Sequence, residues 1–437
     1  MQIKEFLEKV CGEIKYKPIQ NDVTEELKCH MEEIKEEQIE NGIEENKAEE
    51  IAVKRMGEPI EIGKKLNKIH KPKLDWGLIL IVIILVGFGI VVSFIKTQSD
   101  LTDGTEIAYF IKNIIFTIIG IVLGIGIYFF DYTKTSKYSK YIYLVATIIS
   151  LSWLIGISQI GHNGKAYLQI LNISIESIAI PLYIVAFVGY INNYNKNNIF
   201  KFGNITINKD FIKILILSVF SICVLKSLSS CLILLSVYII LVTVGIVNKS
   251  SKKKKYLLIL YGIIAISMIL FTFIVQPLKI GRIIAFVKPE ENINGEGWII
   301  IQQRLILNSS KLIGQAEDLS ESLEIFDEGT DYAVVSLIAH YGIIAAIILV
   351  MLILIFSAKL IYNSKIIKDN YGKLLIIGIG GYFMIECILN VLMNLTIGMQ
   401  ISSKIPFVSY SGKSLIIDIM CVAFILSIYR KKDIIRA

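Results

Sequence analysis

Long apolar runs alternate with short polar segments along most of this chain, from residue 77 to residue 429. Ten such runs can be marked, at 77–95, 108–130, 141–159, 175–191, 212–225, 231–247, 256–275, 333–357, 374–394 and 414–429. Most of them approach the roughly 20 residues that a helix needs to cross a bilayer. The fifth and sixth runs are short and are separated by Lys226-Ser-Leu-Ser-Ser, as in a tight outer hairpin. The pattern predicts an all-α, polytopic membrane protein with about ten transmembrane helices over residues 73–437.

The first 72 residues follow a different pattern, that of short amphipathic helices. Apolar side chains recur at helical spacing at Ile3, Phe6, Leu7 and Val10, and again at Val23, Leu27, Met31 and Ile34. A third helix is expected to stop at Gly57. Residues 1–76 hold 14 Lys or Arg against 18 Asp or Glu, a net charge of −4. Because the whole chain has a net charge of +7, the remaining residues have a net charge of +11. We therefore predict a small cytoplasmic helical domain at residues 1–72, for regulation or docking.

Three stretches of this N-terminal segment are similar to the permease prefix domain that precedes several bacterial membrane proteins. They are Cys11-Gly-Glu-Ile-Lys-Tyr-Lys-Pro-Ile, Glu25-Glu26-Leu27 and Ala52-Val-Lys-Arg-Met-Gly-Glu-Pro. This resemblance says little about activity.

Lysine and arginine gather in every second loop of the predicted bundle. They follow the second, fourth, sixth, eighth and tenth spans, within residues 134–140, 196–209, 252–255, 359–373 and 430–432. Loops rich in Lys and Arg face the cytoplasm. With ten spans all these loops fall on one side, so both termini are expected inside and the long segment 277–332 outside.

Asp331 closes that long outer segment, directly before an apolar run. An ionisable group at the mouth of a transmembrane bundle is a functional candidate, although a solvated acid that only marks a helix start is the alternative. Two further outer loops add polar groups, one containing Lys165 and one running from residue 405 to residue 414. Pro406 and Gly412 in the latter imply a non-helical backbone, which is tolerated at membrane depth where it is buried in protein or lines a wet cavity. An outward cavity for a phosphate- and sugar-bearing lipid is predicted, with an ordinary transporter vestibule as the alternative.

The composition supports a membrane protein and argues against several kinds of site. The chain has 437 residues, of which 54% are hydrophobic, and a mean hydropathy of +0.62, which is too apolar for a soluble protein of this length. Its six cysteines form no CxxC pair and its four histidines do not cluster, so neither a disulfide framework nor a metal site is indicated. No cofactor site and no nucleic-acid partner is indicated either.

Several short motifs occur in order along residues 77–432. They are Phe130-Asp131-Tyr132, Arg282-Ile-Ile-Ala-Phe, Pro289, Gly297-Trp-Ile-Ile-Ile-Gln, Leu312-Ile-Gly, Thr330-Asp331-Tyr332, Gly342, Asn390, Pro406-Phe407, Ser409-Tyr410, Gly412 and Ser414. By these motifs the chain resembles the shape, elongation, division and sporulation (SEDS) family, the group of FtsW, RodA and SpoVE. The resemblance covers nearly the whole membrane region.

The resemblance implies a peptidoglycan glycosyltransferase that polymerises lipid II at the outer face of the bacterial cytoplasmic membrane, in cell division, cell shape or sporulation. The family's key acid maps to Asp331, which is expected to accept the proton of the attacking sugar hydroxyl. Arg282, Lys165 and Lys404 are expected to offset pyrophosphate charge, with an ordinary interfacial cation as the alternative for each. The other expected substrate contacts are Thr330, Gln302, Ser409, Tyr410 and Ser414. The expected partner is a class B penicillin-binding protein transpeptidase, and a divalent cation is kept open as an aid to the pyrophosphate chemistry.

The chain departs from the family pattern at four places. The family's lysine is missing from Glu176-Ser-Ile-Ala-Ile-Pro-Leu, its acid is missing from Lys226-Ser-Leu-Ser-Ser, and Gly164-Lys-Ala-Tyr keeps one cation of its motif. In the last outer loop, Met399, Ser402 and Ser411 replace Pro, Gly and Gly. These losses leave two alternatives to the enzyme, a non-catalytic scaffold and a carrier of lipid-linked precursors. The enzyme is placed first because Thr330-Asp331 and the loop from Pro406 to Ser414 are retained.

Overall fold

The chain divides into two compact units in the computed structural model. The first consists mainly of Met1–Leu74, and the second consists of Asp75–Ile366 and Asn370–Ile428. The structure describes residues 2–15, 20–69, 73–99, 108–154, 156–160, 165–169, 173–194, 199–202, 205–246, 262, 278–292, 295–316, 330–410 and 412–432. The predicted span at 256–275 therefore lies outside the described residues, apart from residue 262.

The N-terminal unit is a small bundle of helices around its own apolar core. Its helices are α1 (Ile3–Glu13), α2 (Gln20–Glu40), α3 (Glu45–Met56) and α4 (Pro59–Ile69). The buried core consists of Phe6, Leu7, Val10, Ile14, Val23, Met31 and Val53. Helix α3 ends at Gly57, which has a φ of +92°, a backbone conformation that glycine adopts without strain. Helix α4 was not predicted; Pro59 opens it at the position where the missing N–H costs nothing.

The second unit is built from helices, most of which coincide with predicted spans. They are α5 (Trp76–Ser99), α6 (Ala108–Phe129), α7 (Thr133–Lys137), α8 (Ser139–Leu151), α9 (Ile175–Asn192), α10 (Lys209–Val224), α11 (Leu228–Gly245), α12 (Leu278–Val287), α13 (Glu296–Ser309), α14 (Ala333–Tyr341), α15 (Ile343–Ile366), α16 (Asn370–Asn394) and α17 (Ser414–Arg430). Helices α7, α12 and α13 lie between those spans. A short 3₁₀ turn (Pro289–Asn292) lies between α12 and α13.

Six helices among the described residues are long and apolar enough to cross a membrane by length and composition. They are α5, α6, α9, α11, α15 and α16. Helices α10 and α17 are apolar but somewhat shorter, with 16 and 17 residues. The prediction of an all-α, polytopic membrane protein is confirmed, and each predicted span within the described residues coincides at least partly with a helix.

The third predicted span ends earlier than expected, and a small sheet follows it. Helix α8 stops at Leu151, and the chain forms β1 (Ser158–Ile160), β2 (Ala166–Leu168) and β3 (Ile173–Ser174). The three strands are antiparallel in the order β1-β2-β3, with Gln159 opposite Tyr167. A second hairpin consists of β4 (Ile199–Phe202) and β5 (Ile205–Asn208). The first sheet holds Lys165 immediately before β2 and leads directly into α9.

The predicted span at 333–357 is wrong in one respect, because the structure has two helices there. Helices α14 and α15 meet at Gly342, which has a φ of +91°. Backbone groups near this break bond to the segment 311–316. The N–H of Gly314 donates to the Tyr341 carbonyl at 3.2 Å, and the N–H of Ile343 donates to the Lys311 carbonyl at 3.0 Å. A break at membrane depth is tolerated where neighbouring backbone satisfies the groups it frees.

Burial separates central helices from peripheral ones in the second unit. Residues of α9, α11 and α16 are mostly buried, whereas only a minority of the residues of α5, α6 and α15 are buried. The Phe187 and Tyr238 rings stack between α9 and α11, with their centroids 3.9 Å apart. The exposed side chains of α6 are large and apolar, as at Ile118, Val122 and Phe129, which suits contact with lipid tails.

Candidate active site

A cavity of about 690 Å³ brings most of the predicted site residues together. Its walls come from α6, β2, α9, α11 and α16, from residues 330–332, and from the loop before α17. The volume lies in the range of pockets that hold small ligands. Seven predicted residues line it: Lys165, Thr330, Asp331, Lys404, Ser409, Tyr410 and Ser414. Arg282, on α12, and Gln302, on α13, are not among the lining residues.

Asp331 lies at the cavity wall directly before α14, with a hydroxyl and an ammonium beside its carboxylate. The Ser402 hydroxyl donates to Oδ2 of Asp331. The Lys165 Nζ lies 3.9 Å from Oδ1, and the side chains of Lys165 and Asp331 are 13% and 21% exposed. A carboxylate held by a hydroxyl donor and a cation is fixed in orientation and favoured in its charged form.

Two buried asparagines on α16 fix the backbone of Asp331. Asn390 Nδ2 donates to the Asp331 carbonyl at 2.8 Å and to the Ser403 carbonyl at 2.7 Å. Asn394 Nδ2 donates to the same Asp331 carbonyl at 3.0 Å, while its Oδ1 accepts the N–H of Val335 at 3.1 Å. Both asparagines are fully buried. Asn390 therefore ties the start of α14 to the loop that carries Ser402, so the acid and its hydroxyl partner are positioned together.

Lys165 is almost enclosed and is surrounded by negative charge. Burial lowers the pKa of its ammonium, but Asp331, Tyr167, Glu386 and Glu176 together outweigh that effect, and the net pKa lies above the usual value for lysine. The ammonium consequently stays charged at neutral pH.

Lys404 has a different environment from the one expected for a pyrophosphate contact. Its Nζ lies 2.6 Å from Oδ2 of Asp418 on α17, and the side chains are 7% and 1% exposed. Glu386, on α16, is a charged neighbour of both groups. Within the described residues, Oδ1 of Asp418 and Oε2 of Glu386 are buried without a hydrogen-bond partner. The charge of Lys404 is therefore already balanced inside the protein.

Hydroxyl groups line another part of the cavity. The Ser177 hydroxyl donates to Ser414 Oγ at 3.0 Å, and Ser174 is within hydrogen-bond distance of both. The Ser409 hydroxyl accepts the N–H of Ile405 at 2.9 Å, which stabilises the turn before it. Tyr410 packs edge-to-face on Tyr109 with the ring centroids 5.2 Å apart, and burial raises the pKa of Tyr410 to about 12. Neutral hydroxyls that both donate and accept suit the hydroxyl and acetamido groups of a sugar.

Comparison with known proteins gives the family. The sequence model of the family described as "Cell cycle protein", which covers FtsW, RodA and SpoVE, matches residues 75–434. This chain belongs to that family, the SEDS proteins. It is 23% identical over 381 residues to the "Probable peptidoglycan glycosyltransferase FtsW" of Trichlorobacter lovleyi, covering 83% of this chain and 96% of that protein. It is 22% identical over 376 residues to the "Stage V sporulation protein E" of Bacillus subtilis, covering 83% of this chain and 98% of that protein.

A solved structure shares the fold of this SEDS chain. It is described as "Structural coordination of polymerization and crosslinking by a peptidoglycan synthase complex". The TM-score is 0.62 at 17% identity, covering 82% of this chain and 98% of the other. An identity this low supports the shared fold alone.

Ser402, one of the departures from the SEDS motifs, contacts the carboxylate of Asp331. Ser402 replaces a family glycine, and glycine has no hydroxyl to donate to Asp331. The other residues that sequence reasoning missed are Lys112, Glu176, Glu386, Asn394 and Asp418. Glu386 and Asp418 lie inside apolar helices, where ionisable groups are rare and usually functional, and that signal was available in the sequence.

No group of three or more His, Cys, Asp or Glu side chains that could hold a metal ion occurs in the described ranges. We assign no step of a reaction to a metal, and a requirement for a divalent cation stays a proposal.

Proposed function

We propose that this chain is a peptidoglycan glycosyltransferase that polymerises lipid II. The observation that carries the proposal is the Asp331 carboxylate, held by Ser402 and Lys165 at the wall of a cavity of about 690 Å³. The names of its relatives support the same activity.

Asp331 would act as the general base of the transfer. A sugar hydroxyl of one lipid II molecule attacks the anomeric carbon of another, and the carboxylate takes the hydroxyl proton as the new carbon–oxygen bond forms. The bond to the pyrophosphate breaks, and undecaprenyl pyrophosphate leaves. A positioned base contributes roughly 10²–10⁴ in rate. The contacts of Ser402 and Asn390 serve this step by fixing the carboxylate before the substrate arrives.

The outer face of the cytoplasmic membrane is the proposed location of the cavity. All of its lining residues come from predicted outer loops or the helices that flank them, and none comes from the basic loops predicted to be cytoplasmic. Lys and Arg concentrate in the loops at the other end of these helices, which favours cytoplasmic termini. This proposal predicts that cysteines introduced at residues 134 and 413 react with a membrane-impermeant thiol reagent from opposite sides.

A class B penicillin-binding protein transpeptidase is the proposed partner. The structure described as a peptidoglycan synthase complex supports this, since its chain shares the fold. A purified complex would be detected by co-elution of the two proteins from a sizing column.

The decisive experiment is lipid II polymerisation by the purified full-length protein, with and without a class B transpeptidase. Asp331→Asn is expected to reduce glycan-chain formation at least a hundredfold, because it removes the proton acceptor while keeping the side-chain shape. Asp369→Asn is the matched control, since it makes the same chemical change at a residue between α15 and α16 that does not line the cavity. Equal polymerisation by wild type and Asp331→Asn would contradict the proposal. A folded wild-type protein that binds the transpeptidase and makes no glycan would favour the scaffold.

A further inference from the structure

Four lysines line the cavity, and they differ in how their charges are balanced. They are Lys112, Lys165, Lys404 and Lys413. Lys404 forms a buried pair with Asp418, and Lys165 lies beside Asp331. A cation already balanced by a protein carboxylate gains less from a phosphate than an unbalanced one, because the phosphate must compete with the existing pair. The lysines expected from the sequence to bind pyrophosphate are thus poorly suited to it.

Lys112 has a different environment from Lys165 and Lys404. It lies in the first turns of α6, and its side chain is exposed. Its Nζ lies 5.6 Å from the centroid of the Tyr109 ring. Among the described residues, no carboxylate comes within ion-pair distance of Lys112, so none of these residues competes with a ligand for its charge.

The residues beside Lys112 form a short strip along one face of α6. Tyr109, Lys112 and Phe116 are spaced by three and four residues, and all three line the cavity. Beyond the strip the cavity closes, because α6 packs against α17. A Cβ placed on Gly120 would lie 2.8 Å from Ile419 Cδ1. The strip therefore places the ammonium group of Lys112 near the ring of Phe116, which lies one turn deeper in the predicted span.

A separate face of α6 is apolar and exposed, as at Ile111, Ile118 and Val122. Helix α6 is the least buried of the six candidate spans. Helix α6 thus contributes both to the cavity and to the surface proposed to face lipid. A lipid tail attached to a ligand in the cavity would therefore have only a short distance to cover to reach the bilayer.

We propose that Lys112 binds the phosphate groups of the polyprenyl-linked substrate at the cavity rim, and that Phe116 contacts the first carbons of its lipid tail. The assignment rests on the proposed function for the identity of the substrate. A charge-assisted bond between an ammonium and a phosphate is about twice as strong as a neutral hydrogen bond. The sugars would then lie toward Asp331 and the serine hydroxyls.

The test measures binding and needs no turnover. Purified full-length protein in phosphatidylcholine nanodiscs would be titrated with a polyprenyl pyrophosphate, with the unphosphorylated polyprenol, and with phosphatidylglycerol. Lys112→Gln is expected to weaken pyrophosphate binding by about tenfold to a hundredfold, the usual worth of a hydrogen bond to a charged group. Polyprenol binding should be unchanged, and Lys112→Arg should restore most of the affinity.

Lys140→Gln is the matched control, because Lys140 is an exposed lysine in the first turn of α8 and lies outside the cavity lining. Unchanged pyrophosphate binding by Lys112→Gln would overturn the proposal. An equal loss of phosphatidylglycerol binding would also overturn it, since that result identifies a general site for lipid headgroups. Failure of the glycosyltransferase proposal would look different, with intact glycan synthesis by Asp331→Asn and pyrophosphate binding still dependent on Lys112.

Discussion

The buried pair of Lys404 and Asp418 makes a quantitative prediction about stability. Lys404→Met removes the ammonium while keeping an unbranched side chain. It leaves the Asp418 carboxylate nearly inaccessible to water, with its nearest cation gone and the acid of Glu386 nearby. Removing one partner of a buried ion pair costs roughly 3–5 kcal/mol. We expect a loss of unfolding free energy at the upper end of that range, because two acids then share one apolar site.

A double variant removes the acid as well. Lys404→Met combined with Asp418→Leu leaves no buried charge in the pair, and such replacements are often neutral or stabilising. We therefore expect the double variant to be more stable than Lys404→Met alone by about 3 kcal/mol or more. This reversal separates an electrostatic effect from simple loss of packing, which would make the double variant the worse of the two.

Unfolding of the purified protein in nanodiscs, followed by heat or denaturant, measures these differences. Lys288→Met is the control, because Lys288 and Glu291 are 2.5 Å apart with side chains 62% and 59% exposed. An exposed pair contributes only about 0–1 kcal/mol. Equal effects of Lys404→Met and Lys288→Met, or a double variant less stable than the single one, would refute the reasoning.

Three further substitutions test the site and its supports. Ser402→Ala should slow lipid II polymerisation roughly tenfold or more, because it removes a hydroxyl bonded to the proposed base, and unchanged rates would contradict that role. Gly89→Ala should cost about 1–3 kcal/mol in unfolding free energy, since its Cβ would lie 2.2 Å from a loop carbonyl, whereas Gly87→Ala on the same helix meets nothing within 4 Å and should not destabilise. Asn394→Ala leaves the buried N–H of Val335 without its acceptor, so thermal melting should show a loss of about 1–3 kcal/mol in unfolding free energy. An unchanged melting curve would contradict a stabilising role for this hydrogen bond.

The sequence predicted that Asp331, Lys165 and the loop 405–414 lie at the same end of the bundle, and the structure brings them together at one cavity. Asp331 stands where a polar segment meets an apolar run, and the alternation of basic loops assigns that boundary to one side. The partner of Lys404 could not be predicted this way, because Lys404 lies in the loop before α17, Asp418 lies 14 residues further on inside that helix, and periodicity does not say which side chains meet. The prediction that Lys404 offsets pyrophosphate charge therefore took no account of this buried carboxylate.

The break at Gly342 and the part played by Ser402 were missed for other reasons. Hydropathy is continuous across residues 333–357, so it cannot show that the backbone turns within an apolar run. The positive φ of Gly342 depends on the approach of segment 311–316, which is a tertiary contact. Ser402 was counted as a lost family residue, since a motif records only which residue is absent and not what its replacement bonds to.

The interruption at Gly342 also bears on how the outer segment can be re-engineered. Residues 311–316 supply backbone partners on both sides of the break, including the N–H of Ala316 to the Ala339 carbonyl at 2.9 Å. Their length and composition are those of a loop, yet they complete the backbone hydrogen bonding of the apolar helices α14 and α15. A deletion or graft that runs through them would leave those backbone groups exposed to hydrocarbon, where each unsatisfied group costs several kcal/mol. Chimeras that exchange outer segments between relatives should therefore keep residues 311–316 together with α14 and α15 as one inherited block.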